Sequence, residues 1–177
     1  MYSKLQKIAY HEAAHAVAFI QVGQQFEFIQ IIVSPREGDV NTPLGRVHFG
    51  DTDDQREGLW RLFTVLAGPA AEKHMRPSMP WNLIFWNGTR NDYKQAWEIA
   101  EQLPDKGRFV DDMLRTTMLR FVRNEWDRIV KLGNALMSAP DLKLSYGECL
   151  TALGHEPDIV SVLTSMRSQA LTAESVN

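Results

Sequence analysis

Residues 9–16 read Ala9-Tyr10-His11-Glu12-Ala13-Ala14-His15-Ala16. They lie inside a stretch whose pattern predicts a helix. Ser3 followed by Gln6 makes a capping box. From Lys4 to Val22, the residues Leu5, Ile8, Ala16, Val17 and Ile20 recur at helical spacing, and Gly23 is a natural stop. On a helix, residues four apart share a face, about one turn separated. His11 and His15 can therefore reach one ion. Glu12 is turned by roughly 100° from His11, placed to hold a water rather than to join the ligands. Ala13 and Ala14 are too small to block a cleft.

This is the H-E-x-x-H pattern. Zinc held by such a pair lowers the pKa of water to about 7, and a neighbouring carboxylate can take the proton as the water attacks a peptide carbonyl. Chance alone gives the pattern about once in a hundred chains of this composition and length. The plain alternative is two ordinary histidines on an amphipathic helix.

Working outward, the chain has 177 residues and one cysteine, Cys149, so an internal disulfide framework and a four-thiolate zinc site are excluded. Apolar residues at 44% and charged residues at 23% fit a globular protein with a real core. A net charge of -3 argues against a dedicated nucleic-acid binder. No apolar run approaches the roughly 18 residues of a membrane span, and the first residues lack a signal-peptide stretch. The expectation is a cytoplasmic protein with no membrane and no nucleic-acid partner.

The expected fold is α+β, mostly helical with one small sheet. Phe26 to Ser34 reads as a strand, with Gly45 to Phe49 as a shorter partner across a long loop. Asp53 or Asp54 can cap a helix through Leu59, Leu62, Phe63 and Leu66 into Ala67-Gly68-Pro69-Ala70-Ala71. Pro69 should kink it, and the small residues should let another helix approach closely. Residues 75–88, with Trp81, Phe85 and Trp86, read as an ordered loop whose aromatic side chains cover the core. Asn91 can cap a helix to Leu103, and a long helix from about Asp111 to Ser138 follows. Ser145 with Glu148 is a second capping box, opening a short helix that ends at Gly154 and carries a buried Cys149. Residues 1–155 are expected to form the metal-binding domain, and 156–177 a C-terminal helix and flexible tail.

A catalytic zinc needs a third protein ligand and an open fourth position. By residue type the remaining candidates are His48, His74, His155 and the carboxylates. His74 and His155 read as surface residues. Asp92 follows Asn91 at a helix start, where the dipole favours a carboxylate that often only caps. The residues alone leave Asp92, Glu72 and His74 open.

Three blocks in order carry a family resemblance: Ala9 to Ala16, then Leu66-Ala67-Gly68-Pro69-Ala70-Ala71-Glu72, then Gly88-Thr89-Arg90-Asn91-Asp92-Tyr93-Lys94-Gln95-Ala96. Together they resemble the peptidase domain of the FtsH-type AAA+ zinc metalloproteases, over residues 7 to about 150. That family has A-Y-H-E-A-G-H-A, a helix with G-G-R-A-A-E, and G-A-S-N-D-L before a helix. The resemblance implies a zincin-like metallopeptidase fold with a C-terminal helical hairpin. It implies zinc bound by His11, His15 and Asp92, with Glu12 as general base. The implied substrate is a peptide or unfolded protein. The chain departs from the family at Ala14, where the family has glycine, at Pro69 and at Arg90. Arg90 stands beside Asp92, where it can pair with Asp92 or with a substrate carboxylate. No Gly-x-x-x-x-Gly-Lys-Ser/Thr occurs, and the length leaves no room for an ATPase. Hydrolysis is thus expected to be ATP-independent, with a homo-oligomer or a separate ATPase as conceivable partners. The competing expectation is a non-catalytic metal-binding adaptor or regulator built on the same fold. It predicts zinc without turnover.

Overall fold

Ser3 starts the first helix as the sequence predicts. Its hydroxyl accepts from the Gln6 backbone N–H at 3.1 Å, and the Gln6 side chain accepts from the Ser3 N–H at 2.9 Å. The helix, α1, runs Lys4–Gln21. The computed structural model of the chain describes residues 2–33, 40–41, 55–86, 89–102 and 108–154. The expected Gly45–Phe49 strand, the capping Asp53 and Asp54, and everything after Gly154 lie outside the described residues.

In chain order α1 is followed by β1 (Phe28–Gln30), β2 (Ile32–Val33), β3 (Val40–Asn41) and α2 (Gln55–Met75). Next come α3 (Trp81–Trp86), α4 (Arg90–Ala100), α5 (Arg108–Asp112), a π-helical segment (Met113–Met118) and α6 (Leu119–Ser138). The chain then passes through a 3₁₀ turn (Pro140–Leu142) into β4 (Lys143–Ser145) and α7 (Tyr146–Leu153). The architecture is mostly helical with little sheet, as expected for the α+β class. Among the described residues, no helix is long and apolar enough to cross a membrane.

The first helix is buried on nearly all sides between α2 and α6. Both neighbours meet it at a glycine. A Cβ at Gly133 of α6 would lie 2.4 Å from the Tyr10 ring, so only glycine lets that ring in. The Tyr10 hydroxyl then donates to Asn134 Oδ1 at 3.0 Å. Tyr10 also makes edge contacts with Tyr2 and Trp126. On this frame Leu132, Leu136, Ile129 and Val122 of α6 are fully buried, each stabilising the packing by about 1.5–3 kcal/mol.

The long helix expected from Asp111 to Ser138 is helical throughout, but it begins at Arg108 and changes its winding at 113–118. The burial pattern gives the reason. Val110, Leu114, Met118 and Val122 are buried at a spacing of four, wider than the 3.6 residues of an α turn. The wider π turn keeps this stripe on one side.

Two further differences are local. The segment expected as a loop over 75–88 contains a helix, α3. It follows Pro80, whose carbonyl accepts from Leu83 and Ile84 N–H. Six residues are too few to show a helical period. The N-cap of α4 is Thr89, not Asn91. Its hydroxyl donates to the Ile84 carbonyl at 3.2 Å, tying the start of α4 to α3. Trp81 and Phe85 are half-buried against the core, as expected of a cover, and Phe85 stacks on Tyr93 at 3.9 Å between ring centres.

One of the two strand pairs is long-range and the other is a local hairpin. The first strand pairs antiparallel with β4, Ile29 opposite Leu144, so a segment near the start joins one after α6. Asp141 and Leu142 take left-handed backbone angles to make the turn into β4, an unfavourable region for residues with a Cβ. Ser145 closes β4 and caps α7, its hydroxyl accepting from the Glu148 N–H. The other pair is β2 with β3, Ile32 opposite Asn41.

Candidate metal centre

The two histidines stand where the helical spacing puts them, one turn apart on α1, with Nε2 atoms 3.1 Å from each other. Asp92 enters from the first turn of α4, which packs on α2. Its Oδ2 lies 3.1 Å from His11 Nε2, and its Oδ1 lies 3.8 Å from His15 Nε2. Ligand atoms about 2.0–2.1 Å from a tetrahedral zinc lie about 3.3 Å from one another. Among the described residues, His11, His15 and Asp92 are the one group of three or more histidine, cysteine or acidic side chains whose ligand atoms converge, all within 4.8 Å.

The alternatives left open by the residues alone go elsewhere. Glu72 is buried and pairs with Arg76, just past the end of α2. His74 is half-buried rather than a free surface residue, packed against the Trp126 ring at 4.3 Å between ring centres. His48 and His155 lie outside the described residues.

Two features of α2 complete the site, and sequence reasoning did not assign either to it. His15 Nδ1 lies 2.7 Å from the Thr64 carbonyl oxygen. A carbonyl only accepts, so Nδ1 carries the hydrogen and Nε2 keeps its lone pair for the cluster. This is the common way a ligating imidazole is oriented. Gly68 lies one turn beyond Thr64. A Cβ there would fall 2.4 Å from His15 Nε2 and 2.5 Å from His11 Nε2. The space at which both imidazoles aim thus exists because residue 68 has no side chain. The only sequence signal is the small-residue run Ala67-Gly68-Pro69-Ala70-Ala71, which by itself predicts a close helix contact.

The electrostatics fit a cation. Burial pushes His11 down, but the hydrogen bond and charge of Asp92, with Glu12 and Glu72 behind, outweigh it and hold His11 at about 9. Burial also dominates at Glu12, which rises from an ordinary 4.5 to about 8 against the pull of His11. His15 is lowered, by burial first. At Asp92 burial acts upward, but the bond from His11 and the charges of both histidines bring it below the usual carboxylate range. Three lone-pair groups therefore converge on one spot, with a single proton on His11 between them. The donor set, its spacing and the Gly68 recess all fit a zinc-sized ion.

No protein-family model matches the chain, and no curated protein matches it either.

Proposed function

We propose that the protein is a zinc-dependent, zincin-like metallopeptidase that hydrolyses peptide bonds in peptides or unstructured segments. The observation that carries the reading is the convergence of His11 Nε2, His15 Nε2 and the Asp92 carboxylate, with Glu12 beside them on α1. His11, His15 and Asp92 would hold the ion, and a bound zinc ion supplies a water acidified to a pKa of about 7 and polarises the substrate carbonyl. The residues of the chain do the rest. Thr64 orients His15 through its carbonyl. Glu12 accepts the water's proton and returns it to the leaving amine. Burial raises Glu12 toward the pH at which it works, which is how enzymes tune carboxylates for that role.

The test is direct. Purified protein should carry about one zinc per chain. Glu12→Gln should keep the zinc and lose hydrolysis of an unfolded protein or a fluorogenic peptide. Zinc without turnover, with Glu12→Gln indistinguishable from the unaltered chain, would assign the site to a binding or regulatory protein instead. Absence of zinc binding, unaffected by His11→Ala, would remove the metal reading altogether.

A further inference from the structure

Pro69 lies in the interior of α2 and is buried. A proline there has no N–H. The carbonyl of Val65, four residues earlier, loses its helical donor, and the ring presses on that carbonyl. Helices bend and their hydrogen-bond ladders open at such points. The carbonyl next to this missing bond, one residue earlier, is the one that α1 uses. Thr64, the residue before Val65, presents its carbonyl to His15 Nδ1 at 2.7 Å. Gly68, the residue before Pro69, leaves the approach uncovered, since a Cβ there would strike both imidazoles.

Carbonyls inside a helix point along its axis into the next turn and are already engaged. An imidazole N–H reaches one from the side most readily where the ladder is loosened and the covering side chain is missing. Pro69 supplies the first condition and Gly68 the second, at adjacent positions. Thr64 itself is almost fully buried, and its hydroxyl is turned back to the Arg61 carbonyl. It is therefore the main chain of α2 that meets His15.

We propose that Pro69 is a positioning residue. By opening the α2 ladder it turns the Thr64 carbonyl toward His15 and holds His15 as the tautomer whose Nε2 faces His11 and Asp92. The effect on metal affinity rests on the metal reading above. The effect on the imidazole does not.

Pro69→Ala restores the N–H with a residue well suited to a helix interior. The first readout is made in chelator, at a pH where both imidazoles are neutral, by ¹⁵N-resolved NMR of the histidine rings. The unaltered chain should show His15 protonated at Nδ1, and Pro69→Ala should show a mixture of tautomers. The second readout is zinc affinity, expected to fall by about tenfold, the lower end for loss of a group that orients a ligand. The melting temperature in chelator should hold or rise, so the change is not a loss of fold. A single Nδ1–H tautomer retained in Pro69→Ala, with unchanged zinc affinity, would overturn the proposal. If the unaltered chain binds no zinc, the metal reading fails while the tautomer comparison still decides the role of Pro69.

Discussion

Gly68→Ala adds one methyl group at the point where the two imidazoles converge. Its Cβ would lie 2.4 Å from His15 Nε2, 2.5 Å from His11 Nε2 and 2.6 Å from His11 Cε1. Ordinary carbon contacts are about 3.5 Å or longer, so each ring must retreat by about 1 Å or α2 must move away from α1. Metal–ligand distances tolerate about 0.2 Å. At least one histidine is then lost as a ligand, and zinc affinity should fall by about a hundredfold or more, equivalent to about 2.7 kcal/mol. The fold has reason to survive. Alanine suits a helix interior better than glycine by about 1 kcal/mol, against an overpacking cost of about 1–3 kcal/mol. The assay is competition with a chromophoric chelator, beside thermal melts with and without zinc. Gly68→Ala should melt near the unaltered chain in chelator and gain little from zinc. Gly133→Ala is the control. It makes the same 2.4 Å clash with the Tyr10 ring, on the face of α1 that meets α6, and should lower stability by about 1–3 kcal/mol while zinc binding remains. If Gly68→Ala binds zinc as the unaltered chain does, the imidazoles do not meet an ion at that recess, and the reasoning is refuted.

Other outcomes follow from the same geometry. In chelator, stability should fall as pH rises from about 6.5 to 9, because His11 and Glu12 hold protons in the folded state that the unfolded chain releases earlier. Glu12→Gln should flatten that slope in pH-dependent melts, and a slope left unchanged would deny Glu12 its raised pKa. The buried Cys149 thiol is pushed up to about 12, mainly by burial. It should resist a thiol reagent at pH 8 until the protein is unfolded, and rapid labelling of the folded chain would place it at the surface.

What the sequence made legible was local. The capping boxes at Ser3 and Ser145 name their own helix starts, because the partner lies three residues away. His11 and His15 declare a shared face because a helix repeats every 3.6 residues. What stayed hidden depends on contacts between distant segments. No property of Lys143-Leu144-Ser145 announces a strand, and only pairing with Phe28-Ile29-Gln30 makes it one. Asp92 looks like an ordinary first-turn carboxylate until α4 is packed on α2. Resemblance singled it out where spacing could not. Thr64 acts through its main-chain carbonyl and Gly68 through an absent side chain, so neither carries a residue-type signal for metal chemistry. The winding change at 113–118 was visible in principle, as the four-residue spacing of Val110, Leu114, Met118 and Val122.

The charges of the site explain why burial is compatible with its proposed use. Near neutral pH without metal, His11 is positive, Asp92 is negative, His15 is neutral and Glu12 keeps its proton. The cluster then has no net charge, as a site this buried requires. A divalent ion needs His11 neutral to bind it, and its positive charge favours the ionised form of Glu12. Two protons leave and two positive charges arrive, so the occupied site is neutral again. Near neutral pH the buried core therefore holds no uncompensated charge in either state, and Glu12 gives up its proton there as the ion arrives. On this accounting zinc uptake releases close to two protons at pH 7, and fewer as pH approaches 9. Calorimetry in buffers of different ionisation enthalpy measures that number. A value near zero at pH 7 would mean that the ion is not exchanging with the protons of His11 and Glu12, and would separate Glu12 from the site.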